Sequence, residues 1–137
     1  MLEIKDLNVF YGAVHAIKGI SLTVGDGELV SLIGANGAGK TTTLHAVSGL
    51  IPVSSGSIEL KGQNLQKISP DKIISLGLSH VPEGRHVFAR MTVEENLRMG
   101  AYIIKDAGRI NENLEKVYSN FPRLKERRRQ LAGTLSG

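Results

Sequence analysis

The order of apolar and polar residues predicts a strand-rich beginning of the chain. Apolar side chains alternate with polar ones from Leu2 to Tyr11, with one slip of register between Ile4 and Leu7. Alternation with a period of two is typical of a half-buried β-strand, and a single slip is typical of a β-bulge. A second alternating stretch ends at Val24. Two strands are therefore predicted, the first of them bulged.

The segment after the second strand combines a turn signal with an apolar run. Gly25-Asp26-Gly27 contains an Asp-Gly pair, which favours a tight turn. The run from Glu28 to Ile33 that follows has four apolar residues out of six, which predicts a buried strand. Shorter apolar runs predict further strands over residues 57–60 and 78–81.

Helical signals begin at Lys40 and dominate the last third of the chain. A helix is predicted from about Lys40 through Ser48, and a second begins at Ser69-Pro70 and ends at Gly77. Thr92 and Glu95 fit a capping box that opens a helix reaching about residue 102. Apolar residues at helical spacing predict a last helix over residues 110–121, stopped by a proline. We therefore predict an α/β fold, with a β subdomain and core over residues 1–91 and a helical part over residues 92–137.

Composition and charge narrow the functional classes. The 137 residues are 41% hydrophobic and include no cysteine, so a folded core is expected without disulfides or cysteine-bound metals. No apolar run reaches the ~18 residues that a membrane-spanning helix needs, and the charged N-terminus is no secretory signal, so a cytoplasmic chain is expected. The net charge of +4 resides entirely in residues 105–137. Its cluster Arg123–Arg129 lacks aromatic residues, which favours a solvated helix face over a nucleic-acid site.

Residues 34–41 match the phosphate-binding pattern G-x-x-x-x-G-K-[ST] at every fixed position. The predicted strand before the loop and the helix after it are the context in which this motif binds nucleoside triphosphates. Backbone N–H groups and the helix N-terminus attract phosphate, Lys40 reaches the β- and γ-phosphates, and the Thr41 hydroxyl binds Mg²⁺. Thr42 adds a hydroxyl for the α- or β-phosphate. Side chains at Gly37 or Gly39 would crowd the phosphates. The remaining loop residues expected in the site are Gly34, Ala35, Asn36 and Ala38.

The loop alone does not separate kinases, GTPases, motor ATPases and transporter ATPases. Tyr11-Gly12, followed by residues 16–22, resembles the start of ATP-binding cassette (ABC) domains, where such a tyrosine stacks on adenine. The resemblance is closest to the F-type ATP-binding subunit of branched-chain amino acid importers, and it extends over the whole chain. It rests on residues 34–42, 81–85, 87–88, 91–97, 121–124 and 132–137.

The resemblance implies a P-loop ABC ATPase core that two copies use to sandwich two ATP molecules with Mg²⁺. Glu83 occupies the Q-loop position, where most ABC domains have glutamine, near the metal and the attacking water. Ser136 and Gly137 belong to the signature motif that contacts the γ-phosphate bound to the opposite subunit. Arg85, Val87 and Phe88 are expected to receive a coupling helix of the transmembrane permease, on the inner face of the membrane. The histidines at 15, 45, 80 and 86 do not match the family's switch position and are expected to be ordinary surface or packing residues.

The chain stops within the signature motif, so we expect an N-terminal part of a longer ATPase. We expect this part to bind nucleotide weakly and not to hydrolyse it, and to aggregate or oligomerise through exposed strand edges. Two alternatives remain at this level. One is a regulatory module that binds ATP without turnover, and the other is a P-loop kinase or GTPase. Three features disfavour a P-loop kinase or GTPase: Tyr11, the Leu-Ser-Gly ending and the absence of a guanine-reading motif.

Overall fold

The computed structural model describes residues 1–135 and divides into two compact units, Met1–Val81 and Pro82–Gly137. The division falls between residues 81 and 82, whereas the subdomain boundary predicted from the sequence lies between 91 and 92. The first unit contains an antiparallel sheet, and the second is helical. This is the arrangement of an N-terminal β subdomain followed by helices that the pattern predicts.

The sheet of the first unit has four strands in the order β2-β1-β3-β4, all antiparallel. The strands are β1 (Leu2–Tyr11), β2 (Val14–Val24), β3 (Ser55–Leu60) and β4 (Gln63–Asn64). β1 and β2 confirm the two strands predicted from alternation, and β3 confirms the strand predicted over residues 57–60. β4 was not predicted, because two residues are too few to form a pattern.

The slip of register in β1 is a genuine bulge. The pairing of β1 shifts between Ile4 and Leu7, and Asp6 has a left-handed φ of 46°. The Asp6 amide, turned out of the ladder, donates to Ser21 Oγ at 2.9 Å. The extra residue restores the alternation, so that Ile4, Leu7 and Val9 are all buried.

The core of the first unit lies where this sheet meets the helices. Helix α1 (Lys40–Val47) contributes Ala46 and Val47 to it. Helix α2 (Pro70–Ile73) begins with a proline and continues as a 3₁₀ turn, Ile74–Leu76, which ends at Gly77 with φ 93°. Both helix starts and the glycine stop agree with the sequence. The buried core residues are Ile4, Leu7, Val9, Ile17, Ala46, Val47, Ile58, Leu65 and Ile73.

The strands predicted over residues 28–33 and 78–81 are not formed. Both segments are irregular, and Leu29, Ile33 and Val81 are 96%, 95% and 88% exposed. Neither segment has a neighbouring strand to pair with. Among the described residues, the strands of the sheet are β1–β4, and they pair antiparallel with one another. An apolar run becomes a buried strand only where neighbouring strands and covering helices are present. An apolar run alone therefore did not suffice to form a strand in residues 1–135.

The second unit contains α3 (Val93–Gly100), α4 (Ala107–Asn120), α5 (Pro122–Glu126) and a 3₁₀ turn, Ala132–Thr134. Helix α4 ends before Pro122 as predicted, and the same proline opens α5. Helix α3 ends two residues earlier than the predicted residue 102. None of the helices over residues 1–135 is long and apolar enough to cross a membrane.

The predicted capping box of α3 is present and makes stability depend on pH. Glu95 Oε2 accepts from the Thr92 amide at 2.7 Å and from the Thr92 hydroxyl at 2.8 Å, and these bonds lower the pKa of Glu95 below its ordinary value of 4.5. A carboxylate with a lowered folded-state pKa stabilises the fold above its unfolded-state pKa, and that contribution is lost as pH falls through the folded-state pKa.

We therefore expect Glu95→Gln to lower the thermal midpoint at neutral pH and to have no effect in acid. The measurement is the difference in midpoint from wild type, followed from neutral pH to below the ordinary glutamate pKa. Glu112→Gln, in the middle of α4, serves as the control and should show no such difference. A pH-independent effect of Glu95→Gln would contradict the assignment.

Candidate functional site

The loop before α1 has the curled backbone of a phosphate-binding loop. Gly37 and Gly39 have left-handed φ angles of 84° and 89°, and the Ala38 amide donates to the Ala35 carbonyl at 3.1 Å. Gly39 is the residue that precedes the first turn of α1, and its carbonyl accepts from the Thr43 amide at 2.8 Å. The first N–H groups of a helix have no partner within the helix, so this loop leads into an anion-attracting helix end.

Lys40 bends back over the loop. Its Nζ donates to the carbonyl oxygens of Gly34 and Ala35, each at 2.8 Å. These two carbonyls hold the ammonium group at the start of the loop. An anion that enters the loop therefore meets a positive charge that is already in position. Because the Lys40 side chain is already ordered, binding the anion costs little side-chain entropy.

The glycine at position 39 is required by the protein itself. A Cβ at Gly39 would lie 2.5 Å from Ile17 Cδ1 and 3.2 Å from the Ala16 carbonyl oxygen. At Gly37 a Cβ would meet nothing within 4 Å. The end of the loop thus packs directly on β2, a contact that the motif did not reveal. Ile17 belongs to the buried core, so the core sets the position of the phosphate loop.

Tyr11 lies at the end of β1, in the same unit as the loop. Its side chain is 48% exposed, which leaves its ring available to a ligand. The preceding Phe10 stacks on His15 with ring centroids 4.0 Å apart, and His15 Nε2 lies 2.9 Å from Asn8 Oδ1. This stack orders the β1–β2 turn that carries Tyr11. The role of His15 is therefore packing, as expected from the sequence.

The residues around Thr41 suit a magnesium ion that is shared with phosphates. Thr41 is exposed in the first turn of α1 and Thr42 is half-buried beside it. Among residues 1–135 there is no group of three or more His, Cys, Asp or Glu side chains that could hold a metal. Mg²⁺ commonly takes one or two protein oxygens and completes its shell with phosphates and water. The donor set of the loop fits that use.

The C-terminal side of α1 contains a polar cluster that the sequence did not single out. Ser48 Oγ lies 2.7 Å from His80 Nδ1 and donates to the Leu44 carbonyl at 2.8 Å. The rings of His45 and His80 are stacked at 5.5 Å. These contacts join the end of α1 to the segment before residue 82, and they give both histidines a packing role.

In the second unit, Glu83, Arg85, Val87 and Phe88 lie on an irregular, exposed segment over residues 82–90. The Glu83 carbonyl oxygen lies 2.8 Å from His86 Nε2, and Arg85 Nη1 donates to the Leu135 carbonyl at 2.5 Å. Val87 and Phe88 are 46% and 55% exposed. Ser136 and Gly137 lie outside the described residues.

Phe88 borders an apolar groove of about 630 Å³ between this segment and α3. Asn96 fixes the backbone of Phe88: its Oδ1 accepts from the Phe88 amide at 2.8 Å, and its Nδ2 donates to the Phe88 carbonyl at 3.1 Å. The sequence analysis assigned Asn96 no role, although it lies within residues 91–97, which carry the family resemblance. The groove is lined by His86, Val87, Phe88, Asn96, Leu97, Met99, Gly100 and Tyr102.

Comparisons with known proteins identify the family of the chain. Residues 17–137 match the family model described as ABC transporter. The chain is 44% identical over its full length to the high-affinity branched-chain amino acid transport ATP-binding protein BraG of Pseudomonas aeruginosa. It is 33% identical, again over its full length, to the probable branched-chain amino acid transport ATP-binding protein LivF of Archaeoglobus fulgidus. It spans 58% of the length of both relatives.

Solved structures show the same fold. A structure of an ATP-binding subunit of an ABC transporter superposes with a TM-score of 0.85 and 30% identity, over 98% of this chain and 55% of that one. A nucleotide-free ATP-binding cassette superposes with a TM-score of 0.82 over 98% of this chain and 58% of that one. At 23% identity, the second likeness supports the fold alone. With its P-loop, its antiparallel β subdomain and a family match that covers most of its length, the chain belongs to the ABC transporter family.

Proposed function

We propose that the whole protein is the ATPase subunit that energises import of branched-chain amino acids by an ABC transporter. The observation that carries this proposal is the 44% identity, over all 137 residues of this chain, to a branched-chain amino acid transport ATP-binding protein. The curled loop over residues 34–39, with Lys40 already held above it, supports the ATP-binding part of the proposal.

The nucleotide contacts follow from the loop. Amides of residues 34–39 and the first turn of α1 bind the phosphates. Lys40, held by the Gly34 and Ala35 carbonyls, donates to the β- and γ-phosphate oxygens. Thr42 adds a hydroxyl, and Tyr11 stacks on the adenine with an expected contribution of about 1–3 kcal/mol. The exposure of Tyr11 and its order through the neighbouring Phe10–His15 stack support this role.

Thr41 is the protein ligand proposed for Mg²⁺, and Glu83 is the Q-loop residue. Bound Mg²⁺ neutralises charge on the β- and γ-phosphates. Glu83 is exposed on the irregular segment over residues 82–90. Ser136 and Gly137 contact the γ-phosphate bound to the opposite subunit.

The proposed partners are a second ATP-binding subunit and the transmembrane permease. The groove beside Phe88 supports the permease contact, because it is apolar, exposed and held in shape by Asn96. Arg85 and Val87 belong to the same segment. A subunit with these partners works as a peripheral protein on the cytoplasmic face of the membrane.

The test is transport by the complete importer. Full-length protein, reconstituted with its permease in vesicles, should hydrolyse ATP and take up leucine, isoleucine or valine only when Mg-ATP is supplied. ATP hydrolysis without uptake of these amino acids would reject the proposed substrate class but retain the ATPase. Binding of Mg-ATP without any hydrolysis would instead favour a regulatory module.

A further inference from the structure

The phosphate loop contains an Asn-Gly pair, Asn36-Gly37, in an exposed turn. The Ala38 amide donates to the Ala35 carbonyl at 3.1 Å, and Gly37 has a left-handed φ of 84°. These are features of a type II β-turn, in which Asn36 and Gly37 are the two central residues. Every other asparagine of residues 1–137 is followed by a residue with a side chain.

No hydrogen bond among the described residues restrains this pair, since neither the Asn36 side chain nor the Gly37 amide takes part in one. By contrast, the side-chain oxygen of Asn64 accepts from the Gln66 amide at 2.9 Å, and the residue after it, Leu65, is buried. A Cβ at Gly37 would meet nothing within 4 Å. The Gly37 nitrogen is therefore unpaired within the described part of the chain, and the space beside this residue is open.

A cation lies at the base of the turn. The Ala35 carbonyl that closes the turn also accepts from Lys40 Nζ at 2.8 Å. A nearby positive charge favours the form of a group that has lost a proton. The deprotonated backbone amide is the nucleophile when an Asn-Gly sequence cyclises, so the local charge favours this reaction at the phosphate loop.

We propose that Asn36 is a site of spontaneous deamidation, and that bound nucleotide protects it. The Gly37 nitrogen attacks Cγ of Asn36, the new C–N bond closes a succinimide ring, and the side-chain nitrogen leaves as ammonia with the proton of the Gly37 amide. Water then opens the ring at either of its two C–N bonds. The product at position 36 is an aspartyl or an isoaspartyl residue, and both carry a carboxylate where the asparagine was neutral.

The product impairs the site that this loop forms in the proposed function. The added carboxylate repels the triphosphate, and the isoaspartyl form also inserts a methylene group into the backbone of the turn. Modified protein should bind Mg-ATP at least about fivefold more weakly, which is the repulsion of one like charge even in the dielectric of water.

Protection by nucleotide has a direct physical reason. A phosphate bound to the Gly37 amide holds the amide proton in place and fixes the turn, and both effects slow the attack on Asn36. The protection and the loss of affinity rest on the proposed function, whereas the deamidation itself does not.

The test follows the full-length protein during incubation at mildly alkaline pH, with and without Mg-ATPγS. Trypsin releases residues 19–40 as one peptide, whose only asparagine is Asn36. The mass of this peptide rises when the amide nitrogen is exchanged for oxygen, whereas isomerisation of Asp26 leaves it unchanged. The peptide that contains Asn64 is the internal control. Asn36→Gln is the matched variant, because the longer glutamine side chain closes the ring far more slowly.

Modification at Asn36 should outpace modification at Asn64 and at every other asparagine of residues 1–137, and Mg-ATPγS should slow it. Binding of Mg-ATP, measured by equilibrium dialysis, should fall in step with the modified fraction. Asn36→Gln should keep the affinity with which it starts.

Three results would overturn the proposal. They are an unmodified peptide of residues 19–40 under conditions that convert the same peptide free in solution, full modification without loss of Mg-ATP binding, and an equal rate with and without bound Mg-ATPγS. Fresh protein that binds no Mg-ATPγS would instead reject the proposed function, and the peptide mass alone would then decide whether Asn36 is the modified site.

Discussion

Replacing Lys40 with alanine should abolish most of the ATPase activity of the full-length protein. The Lys40 ammonium is already held above the loop by the Gly34 and Ala35 carbonyls, each at 2.8 Å. In the proposed function, this positive charge meets the β- and γ-phosphates, where charge develops during hydrolysis. Removal of one such preorganised group lowers turnover by about 100-fold or more. The measurement is steady-state phosphate release with saturating Mg-ATP, alone and with the permease.

The matched control is Lys72→Ala, which removes the same charge from the exposed surface of α2. It should hydrolyse ATP like wild type. Lys40→Ala should still fold, because within residues 1–135 the Lys40 ammonium bonds only to exposed loop carbonyls. Its thermal midpoint checks this point. Phosphate release by Lys40→Ala at the rate of the Lys72→Ala control would refute the assigned role of the loop.

The largest expected loss of stability is at Gly56, which packs against the bulge of β1. Gly56 has a φ of 92°, and an added Cβ would lie 2.5 Å from the Lys5 carbonyl oxygen and also overlap the carbonyl of Asp6. Both obstacles are backbone atoms and cannot rotate away. Steric overlap and the strain of a left-handed backbone together should lower the free energy of unfolding of Gly56→Ala by about 3 kcal/mol. Urea unfolding measures the change in free energy.

Gly62→Ala separates strain from overlap. Gly62 has a similar φ of 77°, but a Cβ there would meet nothing within 4 Å. Gly62→Ala should lower the free energy of unfolding by only about 1 kcal/mol, because it adds only the strain of a left-handed backbone. If the two substitutions had equal effects, the contact between Gly56 and the bulge would not be what requires the glycine. A failure of Gly56→Ala to fold at all is the extreme form of the expected result.

Local patterns were enough to predict most elements near the site. Alternation predicted β1 with its bulge, the P-loop motif predicted the loop and α1, and the spacing of Thr92 and Glu95 predicted the start of α3. Each of these depends on residues a few positions apart, and the sequence displays such neighbours directly. The strand predicted over residues 28–33 was wrong, because an apolar run does not reveal whether a pairing strand stands beside it.

The sequence by itself determined the phosphate loop, the amphipathic elements and the family, because these depend on short-range order and residue type. Only the tertiary structure decided that Gly39 must accommodate Ile17, that Gly56 must accommodate the β1 bulge, and that Arg85 is bonded to Leu135, 50 residues away. These are contacts between segments far apart in the chain. They follow from how the backbone is brought together, and no local pattern of residues encodes them.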